Sequence, residues 1–217
     1  MIDDKLAIRE VIENWALWRD AGDWERFATV WHDDGWMTAT WFQGPARQFI
    51  EVSRTGFERG VNILHFLGGF TCDIAGNRAI AQTKMTINQR AMVDGLEVDV
   101  VCTGRFYDFL EKRTTGPERP SVEGLRPTGV EGWAIVRRQP IYEKDRMDPV
   151  EPSRRLMLDV TVLAKFPEGY RHLAYLQSKN GFTVKGDLPG LRGQAVETLY
   201  AEGRAWLAGS PKPGIPL

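Results

Sequence analysis

Residues 62–70, NILHFLGGF, place His65, one of three histidines in the chain, inside an apolar run that contains two glycines. Such a run is typical of a β-strand, and a histidine within it is either a catalytic base or a paired core residue. The carboxylate that we expect beside it is Asp20, which ends an amphipathic helix next to a cluster of aromatic residues. If the two side chains meet, that helix packs on the strand that carries His65.

The sequence around and after His65 alternates with a period of two residues and predicts a sheet. It predicts three neighbouring strands, at residues 61–74, 78–93 and 96–110, with turns at 75–77 and 94–95. Because tight turns join them, the three strands form an antiparallel meander. A fourth strand, at 132–138, follows a loop at 113–130 that is rich in proline and glycine and long enough to be a lid or an oligomer contact.

The residues before this sheet are mainly helical. Their apolar spacing and capping residues predict three helices, at residues 3–20, 23–31 and 44–57. Between the second and the third helix, residues 32–35 predict a turn and residues 36–42 a strand. Three helices against a long curved antiparallel sheet make an α+β half-barrel, and the helices cover its concave face only partly, which leaves a pocket.

Residues beyond Pro149 give a second, weaker pattern. We expect one domain at 1–149 and a C-terminal helical extension at 150–217, with helices at 155–165, 168–178 and 193–208. A segment of this size without disulfides or metal ligands buries little surface by itself. The extension is therefore expected to close the pocket by packing on the first domain, or to pack on a neighbouring subunit.

The charges of the chain nearly cancel, with 28 basic and 29 acidic residues among 217. No broad positive field attracts nucleic acid or an anionic membrane surface, so neither is an expected partner. Without a leader pattern or a run of roughly 20 apolar residues, a cytoplasmic protein is expected. Cys72 and Cys102 lack a CxxC spacing and are expected to be buried, reduced thiols.

Aromatic residues are concentrated near the amino terminus. Six of the eight tryptophans fall in the first 41 positions, at 15, 18, 24, 31, 36 and 41. Such density makes either a large core or the wall of an apolar ligand cavity. It favours an apolar, aromatic or polycyclic substrate, and a lignin-derived phenol, a polyketide and a steroid all fit.

Several short motifs follow one another in the order found in a known family. They are Asp20-x-x-Asp23-Trp24, residues 30–36, Phe42-x-Gly44-Pro45, residues 64–69, residues 104–108 and Gly132-Trp133. Together they resemble the SnoaL-like branch of the NTF2-like superfamily, near scytalone dehydratase and hexachlorocyclohexane dehydrochlorinase. The resemblance covers about residues 3–145. It implies a cone-shaped α+β fold, a homodimer or homotrimer, and elimination, hydration or isomerisation without a cofactor.

The same resemblance assigns proton transfer to the pair Asp20 and His65, because an Asp–His pair does this work in both likenesses. Trp15 stands where the dehydrochlorinase has a lysine, which removes a cation and leaves an aromatic ring as a substrate contact. The second catalytic histidine of scytalone dehydratase has no counterpart near residues 88–90. Neither reaction is therefore carried over unchanged.

The residues themselves also fit proton transfer. An imidazole such as that of His65 has an unperturbed pKa of about 6.5, and a buried aspartate such as Asp20 fixes its tautomer and stabilises the imidazolium. The alternative is a structural hydrogen bond that ties the first helix to the sheet.

Removal of a proton from carbon also requires hydrogen-bond donors for the negative charge that develops on the substrate. Arg105 lies on the strand 96–110, and Lys84 and Asn88 share one face of the strand 78–93, so all three are predicted substrate-binding residues. Tyr107 has the same parity as Arg105 and is predicted to join them. The alternatives are the outer face of the sheet for Lys84 and core packing for Tyr107.

The other histidines give no further site. Residues 32–34, His-Asp-Asp, predict a solvated turn, because three adjacent residues do not converge on one metal ion. His172 has no neighbouring polar cluster in the sequence and is expected at the surface. No Gly-rich phosphate loop, GxSxG elbow or CxxC pair is present, so neither a cofactor nor a metal is expected.

These observations favour a cofactor-independent lyase. Its substrate would be a hydrophobic aromatic small molecule. The reaction would be a dehydration or a related C–O or C–C bond cleavage. The alternatives are an isomerase or cyclase of a polyketide or steroid, and a non-catalytic module that binds a hydrophobic ligand.

Overall fold

The computed structural model describes residues 2–114 and 131–211. Within them, six strands form one curved, open sheet, and helices pack on both of its faces. The α+β class and the half-barrel shape predicted from the sequence are confirmed. Most of the loop predicted at 113–130 lies outside the described residues, and its first two residues belong to a strand.

Three helices come first in the chain: α1 at Ile2–Ala21, α2 at Trp24–Thr29 and α3 at Ala46–Glu58. The buried face of α1 carries Ile8, Ile12 and Trp15 at helical spacing. Asp23 caps α2 through its side chain, which accepts a hydrogen bond from the backbone N–H of Arg26. All three predicted helices are present, and α2 ends two residues earlier than expected.

The sheet has the strand order β2-β1-β6-β5-β4-β3. Its strands are β1 at Trp31–Thr38, β2 at Gln43–Pro45, β3 at Asn62–Ala75, β4 at Arg78–Val93, β5 at Leu96–Thr114 and β6 at Glu131–Pro149. The strands β3, β4 and β5 form the predicted antiparallel meander, and β6 extends it by pairing antiparallel with β5. The turn between β4 and β5 has positive φ angles at both Asp94 (50°) and Gly95 (80°), which is the geometry that an Asp-Gly pair favours in a two-residue hairpin.

The segment from residue 31 to residue 42 differs from its prediction. Residues 31–35, expected as a helix end and a turn, belong to β1, which pairs in parallel with β6. The register shifts between Trp31 and Trp36, and Gly35 permits this bulge, because a Cβ there would lie 2.8 Å from the carbonyl oxygen of His32. His32 is buried, and its Nε2 lies 2.8 Å from the carbonyl oxygen of Glu111. The prediction of a solvated turn is therefore wrong.

The residues after Pro149 pack on both faces of the same sheet. They contain three α-helices, α4 at Val160–Leu163, α5 at Arg171–Lys179 and α6 at Gln194–Leu207. The helix predicted at 155–165 is reduced to the four residues of α4. The helix α5 contacts β4, β5 and β6, and Trp206 of α6 packs with Phe109 and Ile80 on the opposite face. The division into two domains stays a prediction.

In residues 2–114 and 131–211, no helix combines the length and the apolar character needed to cross a bilayer.

Candidate active site

A pocket lies between the concave face of the sheet, α1, α3 and α5. Aromatic rings form much of its wall. Trp15 stacks on Phe49 with ring centroids 6.2 Å apart and meets Phe106 edge-on at 5.2 Å. Further lining residues are Met37, Ala39, Trp41, Ile63, Ile87, Pro140, Tyr142 and Leu173. The wall suits an apolar ring.

Asp20 and His65 meet at one side of this pocket. The imidazole Nδ1 of His65 lies 2.8 Å from Oδ1 of Asp20, and the other carboxylate oxygen accepts the backbone N–H of His65. The two side chains are 13% and 7% exposed, and the edge of the Trp15 ring packs against the imidazole. The last turn of α1 therefore holds the histidine of β3 in one orientation.

This contact fixes the state of the imidazole. Since a carboxylate accepts the bond at Nδ1, that nitrogen carries the proton and Nε2 carries the lone pair. Burial lowers the pKa of His65 below its ordinary 6.5, Asp20 opposes this shift, and the positive charges of Arg19 and Arg138 add to it. The imidazole is consequently neutral near pH 7 and able to accept a proton.

Two buried arginines lie beside the pair. Nη1 of Arg19 donates to Asp20 at 3.2 Å and to the carbonyl oxygen of Ile63 at 3.0 Å. Its Nε and Nη2 have no hydrogen-bond partner among the described residues, although the side chain is only 6% exposed. Arg19 lines the pocket, so its unpaired N–H groups are available to an oxygen atom of a bound molecule.

Arg138 lies one layer deeper, behind the aromatic wall. It forms two 2.7 Å hydrogen bonds with the carboxylate of Asp108, and both side chains are completely buried. Its guanidinium lies over the ring of Trp15 at 4.3 Å and over that of Phe106 at 3.9 Å. The ion pair thus supports two rings of the pocket wall from the back.

Polar side chains also line the pocket. The Thr40 hydroxyl donates to Oε1 of Gln177 at 2.6 Å, and Nε2 of Gln177 donates to Oε1 of Gln89 at 3.3 Å. The amide nitrogen of Gln89 has no partner among the described residues. It is a second donor, besides Arg19, that a ligand oxygen can use.

More than half of the chain is similar to a known protein family. The family model of the SnoaL-like domain matches residues 1–139. The chain belongs to the SnoaL-like family. The matched part includes Asp20, His65 and both buried arginines, and the family predicted from the motifs is confirmed.

Several relatives match this SnoaL-like chain over most of its length. An uncharacterized protein of Emericella nidulans is 36% identical, over 96% of this chain and 88% of that protein. Pea pathogenicity protein 2 of Fusarium vanettenii is 33% identical, over 95% of this chain and 86% of that protein. A solved structure of a putative scytalone dehydratase from Novosphingobium aromaticivorans has a TM-score of 0.50 and 16% identity, over 72% of this chain and 100% of that one. At this identity the likeness shows a shared fold.

The structure of the SnoaL-like chain places four predicted substrate-binding residues outside the pocket. Arg105 bonds Glu143 at 2.6 Å and the hydroxyl of Tyr200 in α6 at 2.8 Å, on the face opposite His65. Tyr107 packs against Tyr200 as well. Lys84 pairs with Arg105 across β4 and β5, and Asn88 has the same parity as Lys84. The prediction that these side chains share a cavity with His65 is wrong.

The error concerns which face of the strands is concave. Ile87, Gln89 and Phe106, one position out of phase with the predicted residues, line the pocket. A period of two assigns residues to a common face but does not say which face turns inward. Of the predicted substrate contacts, Trp15 alone lines the pocket within the described residues.

Arg19 was missed, although the sequence contains a signal for it. It follows Ile8, Ile12 and Trp15 at intervals of four, three and four residues, which puts it on the buried face of α1. A charged residue at such a position is rarely buried without a partner or a role. Helical spacing therefore predicts that Arg19 is buried at the end of α1, next to Asp20.

His172 differs from its prediction too. Its Nδ1 lies 2.8 Å from Oδ1 of Asp145 in β6, and Oδ2 of Asp145 accepts the backbone N–H groups of His172 and Leu173. The expectation of a surface histidine without a polar cluster is wrong. This second Asp–His pair fixes the first turn of α5 to the sheet, and His172 does not line the pocket.

Among the described residues, acidic side chains, histidines and cysteines form no group of three or more that could hold a metal ion. Cys72 and Cys102 are buried and unpaired with each other, and burial raises the pKa of both thiols.

A pH profile is expected to report the state of His65. Because burial lowers its pKa, kcat/KM should stay constant as the pH falls through 6.5 and decline only at lower pH, where the imidazole gains a proton. The measurement is kcat/KM against pH on the first substrate identified. An acid limb centred above pH 6.5 would contradict the assignment of His65 as the base.

The free energy of unfolding should follow the same group. The unfolded histidine gains a proton at about pH 6.5 and the folded one only at lower pH, so the stability contribution is present above pH 6.5. It is lost as the pH falls from 6.5 towards the lowered pKa. The comparison of His65→Gln with the unsubstituted protein in urea, at several pH values, isolates this contribution.

Proposed function

We propose that the protein is a cofactor-independent lyase that acts on a hydrophobic aromatic small molecule. The reaction removes water from this molecule or cleaves a related C–O or C–C bond in it. One observation carries the proposal. A buried, neutral imidazole, His65, is held at Nδ1 by Asp20, while its Nε2 makes no hydrogen bond within residues 2–114 and 131–211 and lies beside an apolar pocket. This arrangement suits a general base.

Dehydration illustrates the proposed chemistry. Nε2 of His65 takes a proton from a carbon atom next to a carbonyl group, and the released electron pair moves towards the carbonyl oxygen. Arg19 and the amide nitrogen of Gln89 donate to that oxygen as its negative charge develops. The electrons then form a C=C bond as the C–O bond to a hydroxyl group breaks, and the imidazolium returns its proton to the departing oxygen as water leaves.

The residues around the pocket stabilise the charged intermediate of this reaction better than bulk water would. Asp20 stabilises the imidazolium after proton transfer, and Arg19 stabilises the enolate. Both charges interact at close range in a pocket walled by Trp15, Phe49 and Phe106, where little water screens them. The aromatic wall also supports the choice of an aromatic substrate, such as a lignin-derived phenol.

The decisive experiment is an incubation of the protein with phenolic, polyketide and steroid compounds, followed by chromatography and mass spectrometry. Loss of water or of a small carbonyl fragment with the unsubstituted protein, absent with His65→Ala, supports a lyase. A changed retention time without a change in mass identifies an isomerase or cyclase instead. A compound that raises the melting temperature but returns unchanged identifies a binding module and overturns the proposal.

We also propose that the chain forms a homodimer or homotrimer. Leu64 and Phe66 of β3 and Met92 of β4 are 55%, 75% and 53% exposed on the face opposite the pocket. Leu64 and Phe66 are same-face neighbours on β3, and exposed apolar side chains on a sheet face favour an interface. Light scattering at micromolar concentration should give a dimer or trimer, and Phe66→Glu should shift it to a monomer. Gln48→Glu, an exposed substitution on α3 at the other face of the sheet, is the charge control, and a monomeric unsubstituted protein contradicts the proposal.

A further inference from the structure

A second cavity adjoins the pocket described above and shares part of its wall. We call the pocket beside His65 the inner pocket and this cavity the outer chamber. Five residues line both: Arg19, Trp41, Ile63, Gln89 and Gln177. Because the two cavities share these walls, one molecule can occupy both, with Arg19 and Gln89 at the boundary.

The outer chamber lies between the second half of α3, the start of β3 and Phe182. Its remaining walls are mostly apolar or small, and include Val52, Gly56 and Val61. Among the described residues, no acidic side chain lines it. A molecule that extends from His65 past Arg19 and Gln89 into the outer chamber meets a second set of apolar walls, so it is larger than one ring.

Two polar groups in this apolar wall are without protein partners. The Ser53 hydroxyl is buried and makes no hydrogen bond among the described residues. Arg59 makes no side-chain hydrogen bond or ion pair within the same residues, whereas the nearby Arg54 pairs with Glu58 at 3.2 Å. A hydroxyl donor and a free cation at one cavity favour an anionic oxygen group.

We propose that the outer chamber binds the distal part of the substrate, an apolar group that carries a carboxylate. The carboxylate lies against Arg59, and the reacting group lies in the inner pocket. The inference rests on the proposed function for the identity of the reacting end, and on the two cavities for everything else. It narrows the substrate class to elongated aromatic acids with at least two apolar parts.

Gly56 offers a substitution that tests this directly. A Cβ added there would meet Val61 at 3.6 and 3.8 Å, an ordinary contact, so alanine-sized atoms fit and a longer side chain extends into the chamber. Gly56→Leu therefore fills the outer chamber from α3 without touching Asp20 or His65. Glu51→Leu, an exposed position on the same helix that does not line the chamber, is the matched control.

The test measures binding, so it does not depend on turnover. Three probes are used: phenol, para-phenylphenol, and para-phenylphenol with a carboxylate on its far ring. Trp15 and Trp41 line the inner pocket, so quenching of tryptophan fluorescence reports occupancy. We expect para-phenylphenol to bind about tenfold more tightly than phenol because a second ring is buried. The carboxylate should add about threefold more, the effect of a partly exposed ion pair.

The variants separate the two parts of the proposal. Gly56→Leu should weaken both two-ring probes about tenfold and leave phenol unchanged, while Glu51→Leu changes none of the three. Arg59→Gln should remove only the preference for the carboxylate. If Gly56→Leu fails to fold, as judged by its melting curve, Val52→Trp on the exposed side of the chamber takes its place.

Specific results overturn the inference. They are equal affinity for phenol and para-phenylphenol, equal weakening of all probes by Gly56→Leu, or a carboxylate preference that survives Arg59→Gln. Failure of the proposed lyase activity is distinguishable from these, because it leaves the binding pattern of the three probes intact.

Discussion

Replacement of His65 by alanine should lower kcat/KM on the identified substrate by about a hundredfold or more, which is the typical contribution of a general base. Among the described residues, His65 supplies the only imidazole in the wall of the inner pocket, and no carboxylate lines that wall. Asp20→Asn should also lower kcat, because an amide cannot stabilise the imidazolium as a carboxylate does. Steady-state kinetics with thermal melting of each variant provide the measurement.

The second Asp–His pair supplies the control for this experiment. His172 contacts Asp145 at the same 2.8 Å, through the same ring nitrogen and with the same backbone contact, but outside the pocket. His172→Ala therefore removes a comparable structural bond without removing the base, and should retain kcat. Equal losses from His65→Ala and His172→Ala would assign both pairs a structural role.

Substitution of Asp108 by alanine should lower the free energy of unfolding by about 3–5 kcal/mol. This is the cost of removing one partner from a buried ion pair, because Arg138 would keep its charge at a fully buried position. Nη1 of Arg138 already lacks a hydrogen-bond partner among the described residues. No nearby acceptor is therefore expected to replace the lost carboxylate. Urea denaturation followed by tryptophan fluorescence measures the change.

A surface pair on the same sheet provides the matched comparison. Arg90 and Asp99 form a similar pair of hydrogen bonds, at 2.8 and 2.6 Å, but the side chains are 43% and 25% exposed. Asp99→Ala should cost about 1 kcal/mol or less. Similar losses at Asp99 and Asp108 would show that burial does not govern the strength of the Asp108 pair.

Most of the fold could be predicted because its signals are local. The period of two in β3, β4 and β5 and the Asp94-Gly95 turn each depend on residues close in sequence. The parallel pairing of β1 with β6 joins Trp36 to Arg137, about a hundred residues apart, and no local pattern contains it. The prediction therefore failed in residues 31–35, where a long-range contact decides the structure.

The site was predicted only where a helix and a strand each gave a clear signal. Asp20 and His65 meet as expected, because both lie on the buried sides of their elements. The donors on β4 and β5 were assigned to the wrong face, since alternation cannot tell concave from convex. That choice depends on α6, which covers Arg105 and Tyr107 from the outside and is more than ninety residues away in sequence.

The family match ends at residue 139, but the cavity walls do not. Asp20, His65 and Arg19 all precede that limit, whereas Tyr142, Leu173, Gln177 and Phe182 follow it. The proposed proton-transfer pair thus lies within the matched segment, whereas part of the wall around it comes from a later stretch of the chain. Substitutions in the later stretch can change which molecules the cavities accept while Asp20 and His65 stay the same. Two relatives with the same Asp–His pair therefore need not share a substrate.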